Sequence, residues 1–236
     1  IMDFKKLNTP SLKELFVTEL QNMILSGKLE IGAKLPPERD LADSMQVSRA
    51  VINSGIAELE KKGFLTVKSR IGTFVADYHK NGSLETLTAI MNYNGGILRN
   101  AEVRSILEAR IMFMVVASQF AIDRASDEEI IGLQKYVDQM KHCTSPEKTA
   151  ALIFEFSHEI AYISKNTLLP LFFISFKDLV CSLWVQYAQK YGTKELYLSA
   201  KQIFDCLLAR DKKAVEEYIK ASTYESIEGA RTIYYS

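Results

Sequence analysis

The sequence predicts a mainly α chain: three short helices and a β-hairpin, then an antiparallel all-α bundle of about six or seven helices. Two observations carry this. Residues 1–78 change pattern every ten to fifteen positions, with short helical stretches, turns and a β-rich pair. Beyond residue 80 the texture is uniformly helical, with no β-rich alternation. We therefore expect two domains, 1–78 and 79–236. At 236 residues, 47% hydrophobic and 25% charged, the composition is that of an ordinary globular chain.

The first helix is expected over Thr9–Ser26. Ser11 and Glu14 have capping-box spacing, and Leu12, Leu15, Phe16, Leu20, Met23 and Ile24 share one face. Gly27 ends it. A short extended piece, Ala33–Leu35, leads to Pro36-Pro37 and a second helix over Glu38–Met45. Gln46-Val47 makes a tight turn, and Ser48 caps a third helix running to Lys62, with Gly63 as its stop. Phe64–Val67 and Thr73–Ala76 read as a hairpin around Lys68–Gly72. Helix, helix, tight turn, helix and hairpin make a winged helix-turn-helix.

After a polar linker at 79–83, helical patterns run over 84–93, 101–124, 127–142, 146–164, 168–190, 194–209 and 211–233. Ser126 with Glu129 and Ser145 with Pro146 mark helix starts, and Pro170 sits early in its helix. Breaks are expected at Gly95-Gly96, Ser145-Pro146, Asn166–Pro170 and Gly192.

Charge and cysteine content limit the function classes. Twenty-nine basic residues balance twenty-nine acidic ones, so an anionic partner must be served by a local patch. Residues 1–78 carry eleven basic and ten acidic side chains. Three scattered cysteines, Cys143, Cys181 and Cys206, give no disulfide framework and suit a reducing, cytoplasmic setting. The longest apolar runs, Ile111–Ala117 and Leu168–Ile174, are seven residues each, against ~20 for a membrane span, so no membrane association is expected. No P-loop, GxGxxG or nucleophile–base pair stands out, and no enzymatic activity is expected.

Residues 36–75, PPERDLADSMQVSRAVINSGIAELEKKGFLTVKSRIGTFV, strongly resemble the DNA-binding domain of GntR-family bacterial transcription regulators. The carrying features are Pro37-Glu38-Arg39, Leu41-Ala42, Val47-Ser48-Arg49, Leu59, Gly63-Phe64-Leu65 and the wing Arg70–Val75. The resemblance implies that Arg39, Ser48, Arg49, Arg70, Gly72 and Thr73 lie at DNA. Physical chemistry agrees for the basic members. A helix N-terminus attracts phosphate, Arg49 suits a guanine edge or a phosphate, and Lys68 with Arg70 on the hairpin can enter a minor groove. Where the family usually has Arg, this chain has Asn53, which can read adenine. The alternative is that the winged helix docks a protein partner, with the bundle serving as a ligand-free dimerisation domain.

The bundle resembles the effector domain of the FadR subfamily. Glu102–Glu108 fits an ExRxxLE pattern, Phe156-Ser157-His158 a central helix, and Asp211 with Ala214 the start of the last helix. Many members hold a divalent metal there. The corresponding ligand positions here are Phe154, His158, Ala200 and Ala221, so one donor remains and no metal or other cofactor is expected. An aromatic cavity is expected around Phe154, His158 and Trp184. Arg104 is either its anion partner or one half of an i,i+4 pair with Glu108. That lining suits an amphipathic carboxylate or acyl thioester as effector. A homodimer reading a pseudo-palindromic operator completes the expectation.

Overall fold

The computed structural model describes residues 10–91 and 100–233. The expected start at Thr9 and the break at Gly95-Gly96 lie outside them. Two compact units emerge, residues 1–97 and 98–236.

The first unit contains α1 (Leu12–Leu25), α2 (Glu38–Met45), α3 (Arg49–Lys61), β1 (Leu65–Lys68), β2 (Gly72–Val75), α4 (Tyr78–Asn81) and α5 (Leu84–Met91). The capping box of α1 is formed: Glu14 N–H donates to Ser11 Oγ at 3.2 Å, and Ser11 N–H to Glu14 Oε2 at 2.7 Å. Phe16, Leu20, Ile24, Ile52, Ile56 and Leu59 are buried where α1 packs on α3. The two helices approach closely at Gly55. A Cβ there would lie 2.2 Å from Phe16 Cδ1, so Phe16 fills the place a side chain would take. Gln46 closes the α2–α3 turn in the left-handed conformation, φ 54°.

The wing is larger than the expected hairpin. Strands β1 and β2 pair antiparallel from Leu65↔Val75 to Lys68↔Gly72. The segment before Pro36 adds an isolated antiparallel bridge, Lys34↔Phe74, beside β2. Gly32 N–H donates to Val75 O, Val75 N–H to Ala33 O, and Leu35 N–H to Thr73 O, each at 2.9 Å. The boundary expected at 78/79 falls within α4. Gln21 Nε2 donates to the Ala89 carbonyl at 3.1 Å and Thr86 Oγ1 to the Lys62 carbonyl, which hold 78–91 on the first unit. The composition shift at 79 marks where the chain leaves the wing, while α4 and α5 still belong to the first unit.

The second unit contains α6 (Asn100–Arg124), α7 (Asp127–Ile131), α8 (Gln134–Lys141), α9 (Pro146–Ile163), α10 (Leu169–Ser175), α11 (Lys177–Tyr191), α12 (Thr193–Leu208) and α13 (Lys212–Ile227). That is eight helices among the described residues, because two expected helices are broken. Residues 127–142 split at Gly132-Leu133, and 168–190 bend by 62° at Phe176. The last helix ends at Ile227 instead of 233. Ser126, Ser145 and Asp211 cap their helices as expected, and Pro146 occupies the first turn of α9. Arg210, in left-handed conformation, donates to the Ile122 and Ala125 carbonyls at the end of α6 and to Asp127 Oδ1 at 2.6 Å. It thereby satisfies carbonyls that the helix end leaves without partners.

Helix α9 is central, packing against α6, α8, α10, α11 and α12. Phe156 and Ile160 are fully buried on it. Within α6, Val103–Arg124 reaches a mean hydropathy of 1.5, long and apolar enough to cross a membrane by length and composition. Its apolar run is broken by charges, which is why uninterrupted runs did not reveal it. Val103, Leu107, Met114, Ala117 and Ala121 are buried within the bundle, as in any core helix.

Candidate DNA-reading surface and effector cavity

In the first unit, the starts of α2 and α3 and the wing enclose an open groove of about 450 Å³. Arg39, Arg49, Lys68 and Arg70 are exposed around it. Each is placed by local structure. Ser48 accepts from Val51 N–H at 3.3 Å and fixes the first turn of α3, which begins with Arg49. Arg39 lies in the first turn of α2, with its only close carboxylate among the described residues, Asp43, at 3.9 Å. Both side chains are more than 70% exposed, so this pair restrains the guanidinium weakly. Arg70 stands at the wing tip at φ 63°, and Gly72 follows at φ 134°.

Two expected residues are placed otherwise than at an open rim, and a third was not anticipated. Thr73 is 8% exposed: β2 alternates, so Thr73 and Val75 turn inward and Thr73 forms the groove floor, not its rim. Asn53 is exposed but engaged. In the amide orientation that satisfies its neighbours, it donates to Glu38 Oε2 at 2.7 Å and to the Arg49 carbonyl at 3.2 Å. Lys34, which the sequence reading passed over, lines the same groove. Its ammonium lies 5.8 Å from the Phe74 ring centroid, and that of Lys68 lies 5.0 Å from it. Both cations sit at one ring because the Ala33–Leu35 segment pairs beside β2. The extended pattern there was visible in sequence, but its partner was not.

Inside the second unit, two chambers adjoin α6 and α11. One, about 40 Å³, is almost wholly apolar, walled by Phe113, Phe154, Phe172, Phe173 and Phe176. Phe113 stacks on Phe172 with centroids 5.3 Å apart. The other, about 120 Å³, carries polar groups from α12 and α13, among them Ser199, Ser222 and Thr223. Ile106, Arg110, Val180 and Trp184 line both. Of the four expected residues, Phe154 and Trp184 line the aromatic chamber.

Arg104 and His158 line neither. Arg104 is about half exposed and donates to Glu108 Oε1 at 2.9 Å, with Glu228 Oε2 at 3.5 Å. The i,i+4 pairing describes it, not the anion site. His158 stacks on Phe154 (centroids 5.9 Å, interplanar angle 20°), and Ser157 faces the chamber instead. The guanidinium that faces the chambers is that of Arg110, which is half-buried. It donates to Thr223 Oγ1 at 2.7 Å and lies 5.6 Å from the Trp184 ring centroid. Burial presses its pKa below the ordinary arginine range. In sequence its signal was a lone cation abutting the apolar run Ile111–Ala117.

Comparison with known proteins decides what these sites belong to. Residues 13–75 match the model of bacterial regulatory proteins of the gntR family, and residues 103–223 match the FCD domain, half of the chain by itself. The chain is a GntR-family regulator. It is 26% identical over 211 residues to the HTH-type transcriptional regulator YcbG of Bacillus subtilis, spanning 87% of this chain and 84% of that protein. Against LutR of the same organism the identity is 24% over 198 residues, with 79% and 86% covered. The Uxu operon transcriptional regulator of Escherichia coli is 24% identical over 206 residues, with 84% and 78% covered. A solved structure of Lar, which controls expression of the Listeria monocytogenes agr system, has the same fold, with a TM-score of 0.58 at 16% identity over 95% of this chain and 98% of that one.

The metal that many regulators of this architecture carry does not fit this one. Phe154 stands where a carboxylate would be and stacks on His158. Ala200 is buried and Ala221 exposed, and neither has a donor atom. Among the described residues no cluster of three His, Cys, Asp or Glu side chains forms. One imidazole does not make a metal site.

Proposed function

We propose that this GntR-family regulator reads a pseudo-palindromic operator as a homodimer, and that a small molecule in the FCD bundle controls its DNA affinity. The observation that carries the DNA reading is the ring of exposed cations, Lys34, Arg39, Arg49, Lys68 and Arg70, around one groove. Arg49 at the α3 N-terminus reads base edges or clamps phosphate, while Lys68 and Arg70 extend the wing to the neighbouring groove. Two such units related by a two-fold axis give the base-pair count that operator affinity needs. The modest charge of the unit as a whole does not weaken this, because phosphate responds to the local patch.

The adjoining chambers support the effector half. Their size favours a small carboxylate over an acyl thioester, whose carrier group far exceeds them. No catalytic step belongs to this reading. The cytoplasm, where operator DNA lies, is its place of action. Footprinting on genomic fragments tests it. Protection of two half-sites related by a dyad is expected. Retention of the chain by a protein partner, with no preference among DNA fragments, would replace operator reading by partner docking.

A further inference from the structure

We propose that Arg110 is the anchor for the carboxylate of a small amphipathic monoanion whose apolar part enters the aromatic chamber beside Trp184. The inference rests on the reading of the bundle as an effector-binding domain and specifies that site.

Three observations point to it. Arg110 projects from the apolar helix α6 between the two chambers, and among the described residues no carboxylate lies within ion-pairing distance of it. A neutral hydroxyl, Thr223 Oγ1, is its hydrogen-bonding partner, and the Trp184 face covers its plane. A guanidinium half withdrawn from water with no counter-charge within ion-pairing distance is costly, and natural chains rarely keep one without use. The fork of N–H donors that Thr223 leaves unfilled matches a carboxylate bidentately.

The walls then set the rest of the ligand. Phe113, Phe154 and Phe173 offer no hydrogen bond, so the part entering their chamber is apolar. Ser222 and Thr223 flank the head group on the other side. A cavity of roughly 150 Å³ holds a benzene ring. The aromatic chamber, about 40 Å³, is well short of that and takes a short or branched alkyl end, while the neighbouring chamber of about 120 Å³ takes the rest of a short-chain acid. Sugars, which need a polar surround on every side, do not fit that lining.

Trp184 is the sole tryptophan of the chain and reports on the site directly. The experiment titrates the full chain with butanoate, 3-methylbutanoate and 4-methylpentanoate, each against its uncharged amide, following Trp184 emission and the melting temperature. At least one acid is expected to saturate and to bind tenfold or more tightly than its amide. Arg110→Gln should abolish that preference, Arg110→Lys should keep part of it, and Arg104→Gln should leave it intact. If Arg110→Gln fails to fold, the acid-against-amide ratio of the native chain and of Arg110→Lys still decides. Equal binding of acid and amide by the native chain overturns the anchor while leaving the effector cavity standing. So does an Arg110→Gln chain that keeps the preference. If neither acids nor amides move emission or melting, the effector-cavity reading falls, and the anchor with it.

Discussion

The Asn53 side-chain amide donates to Glu38 Oε2 at 2.7 Å, so α3 is tied to the first residue of α2. The same amide reaches the Arg49 carbonyl at 3.2 Å. Asn53 thus ties α3 to α2 beside Arg49, with the Glu38 carboxylate at the groove proposed for DNA.

Substituting Asn53→Asp sets two carboxylates against each other at that contact. The repulsion raises the pKa of the pair above ordinary carboxylate values in the folded chain. The destabilisation, about 0.5–1 kcal/mol for an exposed pair, is then present at pH 7 and vanishes as pH falls through the raised value. Thermal melts of both chains between pH 7 and pH 4 check this. A constant difference across that range would show that the contact is not formed.

Arg49→Ala and Arg39→Ala are expected to weaken operator binding without altering the melt. If Arg49 reads a base edge, its loss costs ~1–3 kcal/mol at one position of each half-site. If it clamps phosphate, every sequence weakens alike and the salt slope falls by about one. Gel shifts over a salt series with operator and scrambled DNA separate the two. Lys34→Ala should follow the phosphate pattern.

Gly72→Ala is expected to loosen the wing. At φ 134° an L-residue is strained by ~1–3 kcal/mol, while the clash with Lys34 Cε, 2.7 Å from the added Cβ, is relieved by moving a flexible chain end. Reduced DNA affinity with a lower melting temperature of the first unit is the expected outcome. An unchanged melt would mean that the wing tip relaxes freely.

Glu58 gives a pH signature within the first unit. Lys13 and Lys62, at 2.7 and 2.8 Å, hold its carboxyl below the usual range, against the opposing effect of burial. A depressed folded-state pKa contributes stability above the unfolded value of about 4.3, and loses it as pH falls through the depressed one. Glu58→Gln should therefore destabilise at pH 7 by ~0.5–1 kcal/mol and converge on the native chain below pH 4. Divergence in acid would refute the pairing.

Chelator is expected to leave the melting temperature unchanged, and elemental analysis should find no stoichiometric transition metal. Stabilisation by added zinc or nickel would show a site that folded-state binding supports.

Local chemistry made much of this protein legible in sequence. The Ser11–Glu14 and Ser126–Glu129 boxes, the Ser48 and Ser145 caps, the Gln46 turn and the Arg70–Val75 wing act within a few residues of themselves. Periodicity and capping therefore reported them. What depended on partners far along the chain was not legible. The bridge of Ala33–Leu35 needed β2, the α4–α5 segment needed α1 and α3, and the bend at Phe176 carries no breaker residue. Which arginine turns inward was decided in the same way. Arg104 and Arg110 share one helix and differ by about 120° around it. Only the placement of α11 and α13 determines which of those directions is the interior. Sequence composition placed a cation on an apolar helix; the packing of its neighbours put Arg110 against Trp184 and left Arg104 to Glu108 in water.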